Sequence, residues 1–337
     1  MITPLIFSPI YRQYLWGGRR FQSLLGRELE HAGPYAESWE IVDRGDDQSI
    51  VRYGPLAGRT LGGLMQDDPF LITGISTPST FPLLFKFLDA HKVLSVQVHP
   101  DDEQASKRTP PDRGKTEAWY VVEAEPRSKI YAGLRDGIDK IALQHAITSG
   151  KCEDALHVIE PKAGDCIFIP AGTVHAIGSG LVIAEIQQSS DVTFRLFDWN
   201  RIDKHNKPRA LHLNEGLAAT RFTGPVTLAK KKLTTDPVVH RLVESSYFYF
   251  DDVRPSSTWS TNGNCCEIIA VLSGEVRFSS DWNLPTLTRG DCALFPASLQ
   301  PQSLSCLSIG QENPHLLRIT VPRACLLYTS PSPRDSD

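Results

Sequence analysis

Gln97 and His99, in the stretch LSVQVHPDDE, are two metal-ligating residue types set two positions apart. In an alternating segment such residues leave the same face of a strand, while Leu94, Val96 and Val98 take the opposite face. A lone Q-x-H arises often by chance. It gains meaning here because a glutamate, Glu117, and a second well-framed histidine, His175, follow where one site can use them. Ser95 shares the face of Gln97 and His99. Lys115 stands two residues before Glu117 and so points the same way on a strand, although a lysine in a loop is ordinarily solvated. Lys86 lies inside the apolar run FPLLFKFLD, where a buried lysine needs a partner or a depressed pKa.

His175 ends the phrase GDCIFIPAGTVH, with Gly164, Pro170 and Gly172 ahead of it. This resembles the second sequence motif of the cupin superfamily, small β-barrels that often hold a metal. Asp165 sets a tight turn, and proline and glycine mark a corner that aims the histidine inward. The first cupin motif is altered: where many cupins carry H-x-H and then a nearby glutamate, this chain has Gln97, His99 and, after a long loop, Glu117. Together with His175 these give an amide oxygen, two imidazoles and a carboxylate. That set suits Zn2+ better than iron–thiolate or calcium chemistry. A single negative charge leaves bound Zn2+ net positive, which favours an anionic oxygen ligand and Lewis-acid work over structural stapling.

The elements that must position these residues are short β-rich runs between Gly, Pro and Asp turns: FPLLFKFLDA, LSVQVHP, EAWYVVEAE, DCIFIPA, GLVIAEIQQ, CEIIAVLSGEV and CALFPA. They predict a mainly β chain with few helices, one over 137–150 and one over 212–222. The DDE of Asp101 to Glu103 reads as a solvated loop, and 106–116 as a polar loop. An internal repeat is present: GDCIFIPAG at 164–172 matches GDCALFPAS at 290–298, and EAWYVVEAE from Glu117 aligns with EIIAVLSGE from Glu267. Two copies predict two related cupin (jelly-roll) β-barrels. The second copy keeps the turns but loses three of the four ligands: Pro301, Tyr247 and Tyr249 stand at the offsets of His175, Gln97 and His99. The expected division is a metal-binding catalytic barrel over 1–205, a short helical connection over 206–225 and a metal-free barrel over 226–323. The turn-rich end over 324–337 reads as a disordered or foreign tail.

The chain has 337 residues and a formal net charge of −4, which argues against a nucleic-acid partner. No apolar run approaches the ~18–20 residues that cross a bilayer, and the start lacks the pattern of a secretory signal. Seven cysteines without a C-x-x-C pair are read as reduced thiols in a cytoplasmic protein.

From about Leu5 to about Thr320 the chain resembles the type I mannose-6-phosphate isomerases in their short bacterial form. The resemblance is carried by IYRQYLWGGRRF, GPYAESWEI, FPLLFKFLDAHKVLSVQVHPDDEQA, GKTEAWYVV and IQQSSDVTFRLFDWNR. It implies one Zn2+ per chain, held by Gln97, His99, Glu117 and His175, and interconversion of mannose 6-phosphate and fructose 6-phosphate through an enediolate. That chemistry needs a base, a polarised carbonyl and charge stabilisation. Arg195 matches an active-site arginine of the family, against the ordinary reading of a salt bridge with Asp191 or Asp198. Lys115 becomes a proton shuttle or phosphate contact, Ser95 a phosphate contact, and Lys86, Asp191 and Glu185 acid/base or orienting groups. WGG at 16–18 and ESWE at 37–40 read as packing. Two other classes stay open: an iron-dependent metallo-cupin oxygenase, which three nitrogen ligands would suit better, and a non-catalytic sugar-binding bicupin, which would not need Arg195 and Lys115.

Overall fold

The computed structural model describes residues 2–77, 80–202, 206–263, 265–279 and 282–322, so the expected tail over 324–337 lies outside the described residues. Its centre is a six-stranded antiparallel sheet in the order Cys166–Ile169, Glu117–Ala124, Leu181–Gln188, Leu83–Ala90, Glu37–Ile41, Ile10–Arg12. Every residue of Leu83–Ala90 and Leu181–Gln188 is buried, which explains why these strands read as nearly unbroken apolar runs. One face packs Trp119, Val121, Ile167, Ile183 and Leu88 against Ile130, Ala132 and Ile177 of a second sheet. That sheet has five strands in the order Leu156–Ile159, Ile130–Leu134, His175–Ile177, Val96–Val98, Phe194–Phe197.

The outer face of the five-stranded sheet is covered by helices Lys140–Thr148 and Leu213–Ala219, through Leu143, Ile147 and Leu217 on Val96, Val98 and Leu196. Asp139 caps the first helix by accepting from the Ala142 backbone at 2.8 Å, which sets its start inside the expected span. The DDE segment departs from its expectation. Asp102–Ser106 is a short helix with a capping box, Asp101 accepting from Gln104 N while the Gln104 side chain accepts from Asp101 N. Asp102 is engaged rather than solvated: it accepts from Gly114 N at 2.8 Å and from the Tyr247 hydroxyl at 2.6 Å.

The repeat builds a second six-stranded sheet with the same strand order: Cys292–Phe295, Glu267–Ser273, His315–Thr320, Tyr249–Val253, Val239–Glu244, Lys232–Leu233. The registers coincide. Glu117 pairs with Ile169 and Tyr120 with Cys166, as Glu267 pairs with Phe295 and Ala270 with Cys292. A three-stranded sheet (Thr258–Ser260, Ser303–Leu307, Glu275–Phe278) covers its inner face, with Trp259, Val276 and Leu304 on Val253, Ile269 and Val271. The two six-stranded sheets stack back to back, with Phe85, Phe87 and Tyr120 of one against Phe250, Ile268 and Leu317 of the other.

The two closed barrels expected from the repeat are not formed. Closure requires the two edge strands to share a ladder of hydrogen bonds. Leu156–Ile159 and Phe194–Phe197 remain edges of one sheet, Cys166–Ile169 and Ile10–Arg12 edges of the other. Along one open side the chain makes only single bridges, Pro225 with Gly133 and Leu228 with Ile167. Barrels and stacked open sheets use the same strand lengths and Gly/Pro corners, so the repeat does not distinguish them. Among the described residues no helix is long and apolar enough to cross a membrane.

Candidate active site

Val96–Val98 lies between two neighbours, and Gln97 pairs with His175 on one side and Arg195 on the other. Directly opposite residues share a face, so these three side chains form a row that points at the six-stranded sheet. Facing them across the gap are Glu117 and, on the next two strands of that sheet in turn, Glu185 and Lys86. Glu185 is in register with both Trp119 and Lys86. The inner face of that sheet is therefore polar at this end and apolar beyond.

Each histidine is fixed by a backbone carbonyl of another residue. His99 Nδ1 donates to Val192 O at 2.8 Å and His175 Nδ1 donates to Thr173 O at 2.9 Å, so both Nε2 lone pairs are left to face Glu117. Burial holds His99 well below the usual imidazole range, aided by Lys115, and burial brings His175 down to about 4. Both rings are thus neutral, the form that ligates metal. His99 Nε2 lies 3.5 Å from Glu117 Oε2 and His175 Nε2 lies 3.3 Å from Glu117 Oε1. Ligands about 2.0–2.2 Å from a tetrahedral zinc stand roughly 3.4 Å apart, so this spacing fits the ion. Glu117 Oε2 is buried without a hydrogen-bond partner, an orphaned acceptor that a cation satisfies. His99, Glu117 and His175 form a metal site whose donor set suits one Zn2+. Gln97 Nε2 lies 3.2 Å from His175 Nε2, and a half-turn of the amide exchanges nitrogen and oxygen at that point.

Lys86 bridges two carboxylates, 3.2 Å from Oε1 of the buried Glu185 and 3.2 Å from Oε2 of the half-buried Glu37. Burial disfavours its charge, but Glu185 and Glu37 outweigh that and keep the ammonium protonated. Burial likewise opposes ionisation of Glu37, and Lys86 overcomes it; for Glu185 burial wins and its pKa is raised. Each carboxylate also accepts from an indole, Trp39 Nε1 to Glu37 at 2.6 Å and Trp119 Nε1 to Glu185 at 3.1 Å.

These groups line a cavity of about 380 Å3, within the range of small-molecule sites. Of the ten residues singled out from the sequence, eight line it: Lys86, Ser95, Gln97, Lys115, Glu117, Glu185, Asp191 and Arg195. The other two, His99 and His175, stand behind Glu117. Asp191 is exposed at the mouth. Arg195 forms no ion pair among the described residues. Asp198 is taken by Arg201 and by Arg209, whose Nε donates at 2.8 Å, and Arg195 Nη1 instead donates to Ala210 O at 3.0 Å. The lining carries four acids (Glu37, Glu117, Glu185, Asp191) and four bases (Lys86, Lys115, Arg195, Arg209). A divalent ion makes the site about +2, the complement of a phosphate monoester of roughly −2.

Residues 5–128 match the family model described as phosphomannose isomerase type I, catalytic domain. Mannose-6-phosphate isomerase ManA of Bacillus subtilis is 33% identical over 310 residues, covering 88% of this chain and 94% of the relative. The chain belongs to the type I phosphomannose isomerases. A probable mannose-6-phosphate isomerase, GmuF, of the same organism is 36% identical over 217 residues, covering 64% of this chain and 68% of the relative. The crystal structure of the Bacillus subtilis mannose 6-phosphate isomerase superposes with a TM-score of 0.85 at 26% identity, covering 94% of this chain and 99% of that one.

Several lining residues of this family member were passed over in the sequence. Trp16, Glu37 and Trp39 sit in WGG and ESWE, which read as packing; that holds for Gly17, where a Cβ would stand 2.5 Å from Tyr35 C. The alternation of Glu37 and Trp39 was the available signal, since both leave the face that carries Lys86. Arg209 and Thr193 lie in segments without periodicity and carried none.

Proposed function

We propose that this chain interconverts mannose 6-phosphate and fructose 6-phosphate as a zinc-dependent aldose–ketose isomerase. The observation that carries the reading is that Glu117 joins the His99–Glu117–His175 donor cluster to a cavity also lined by Glu37, Glu185, Asp191 and four basic side chains. Bound Zn2+ supplies Lewis acidity toward a sugar oxygen.

The protein groups divide the rest of the work. Arg195, in the row with Gln97 and without a carboxylate partner among the described residues, stabilises negative charge that develops on oxygen as the C1–C2 enediolate forms. Glu185 is the carboxylate that moves the proton between C1 and C2. It faces the cavity from the strand beside Glu117, and burial raises its pKa toward the range a general base uses, whereas Asp191 is exposed. Lys86 balances the charge of Glu185 as it changes, and Trp119 and Glu37 hold the pair in place. Lys115 and Ser95, which line the cavity, bind the sugar or its phosphate in this reading. A cytoplasmic location accompanies this reading, supported by the buried free thiols of Cys152, Cys166, Cys266, Cys292 and Cys306.

The test is a coupled assay for fructose 6-phosphate before chelation, after it and after zinc is restored. Activity should vanish with the metal and return with it. Full activity after thorough metal removal would refute a metal-dependent reaction.

A further inference from the structure

Lys115 and a metal ion require the same atoms. The ammonium Nζ lies 3.2 Å from His99 Nε2 and 3.3 Å from Glu117 Oε2. Because His99 Nδ1 is committed to Val192 O, Nε2 carries the only free lone pair of the ring. A lone pair given to a metal is not available to an ammonium N–H. The contact with Glu117 is one of charge rather than of a directed hydrogen bond, since Oε2 has no hydrogen-bond partner. A divalent cation attracts both atoms more strongly than Lys115 does, and it repels the ammonium.

The backbone cannot follow that repulsion. Lys115 N donates to Pro100 O at 3.0 Å, and Gly114 N donates to Asp102 Oδ1 at 2.8 Å. Packing at Gly114 is so close that a Cβ would stand 2.6 Å from Asp102 N. Any movement is therefore made by the side chain, and the space beside it is the cavity it already lines.

We propose that Lys115 is a built-in counter-cation of the metal site, displaced into the sugar cavity when the ion binds. Metal loading and delivery of the ammonium to the substrate are then one event, and Lys115 reaches the sugar only in the loaded protein. The proposal rests on the metal-site reading above.

Two measurements on the full chain test it. Zinc affinity is determined by competition with a chromogenic chelator for the parent and for Lys115→Met. Removing the competitor should tighten zinc binding by about tenfold or more, the size expected for relief of one close charge contact. Equal or weaker binding in the variant overturns the proposal. In the parent, acetic anhydride labelling read by mass spectrometry should rise severalfold at Lys115 on zinc loading, while Lys86, held between Glu37 and Glu185, stays constant. Unchanged labelling of Lys115 overturns the displacement whether or not the variant folds. A parent that binds no zinc would instead sink the metal-site reading itself, so the two failures are distinguishable.

Discussion

Gln97 and His175 face each other in register on adjacent antiparallel strands, with their Nε2 atoms 3.2 Å apart. The pairing fixes the amide at the edge of the histidine that turns its lone pair to Glu117. Gln97→Ala should therefore weaken zinc binding by about 10- to 100-fold, the usual effect of losing a group that orients or completes a metal site. Chelator competition reads this directly, and unchanged affinity would remove Gln97 from the site.

Arg195 is the cavity cation that no carboxylate of the described residues neutralises. Arg195→Ala should lower turnover by about 10²- to 10³-fold, as for removal of one donor to developing oxygen charge, with zinc content retained. Steady-state kinetics and metal analysis together check this. Ordinary turnover would return Arg195 to a structural role.

Glu185→Gln keeps the shape and the acceptor for Trp119 but cannot take a proton. Turnover should fall by roughly 10²- to 10⁴-fold while zinc binding persists, the range for loss of a general acid–base group. Retention of solvent-proton exchange at C2 of the sugar in this variant would point the assignment elsewhere.

Glu267 is the repeat counterpart of Glu117. Burial pushes its carboxyl up from 4.5 to about 7, with Arg318 only partly opposing. The folded state thus holds a proton that the unfolded state has released. This contribution to stability is complete below about pH 4.5 and is lost as pH rises toward 7, after which it is flat. Glu267→Gln does not titrate, so its denaturation midpoint should lack the decline across that window. A parent and variant with parallel pH profiles would contradict this.

The site was legible where chemistry follows strand parity. Gln97, His99 and Ser95 share a face by counting residues, and Glu117 and His175 carried their own turn and strand context. The Glu37–Lys86–Glu185 chain was not legible as a unit, because its members come from three strands whose adjacency is a matter of sheet order. Lys86 alone signalled that a partner was needed. The short helix after His99 was legible in principle, since Asp101 and Gln104 have capping-box spacing; the run of acids concealed it. Sheet closure had no local signature, and the expectation of barrels failed there.

In the second sheet the positions of Glu185 and Lys86 are held by Arg318 and Asp251, in the same register. Arg318 Nη2 donates to Asp251 Oδ2 at 2.8 Å, and Nη1 stands 3.7 Å from Glu267. The sign of each charge is reversed, and an arginine supplies from within the chain the positive charge that Glu117 receives from an ion. By the same register Tyr249 corresponds to Leu84 and not to His99, so the tyrosines at the sequence offsets of Gln97 and His99 do not occupy the structural positions of those residues. The charge of the second half is thus balanced within its own sheet, and the opposite face of that sheet, through Phe250, Ile268 and Leu317, keeps the Phe85–Phe87 side of the first sheet dry.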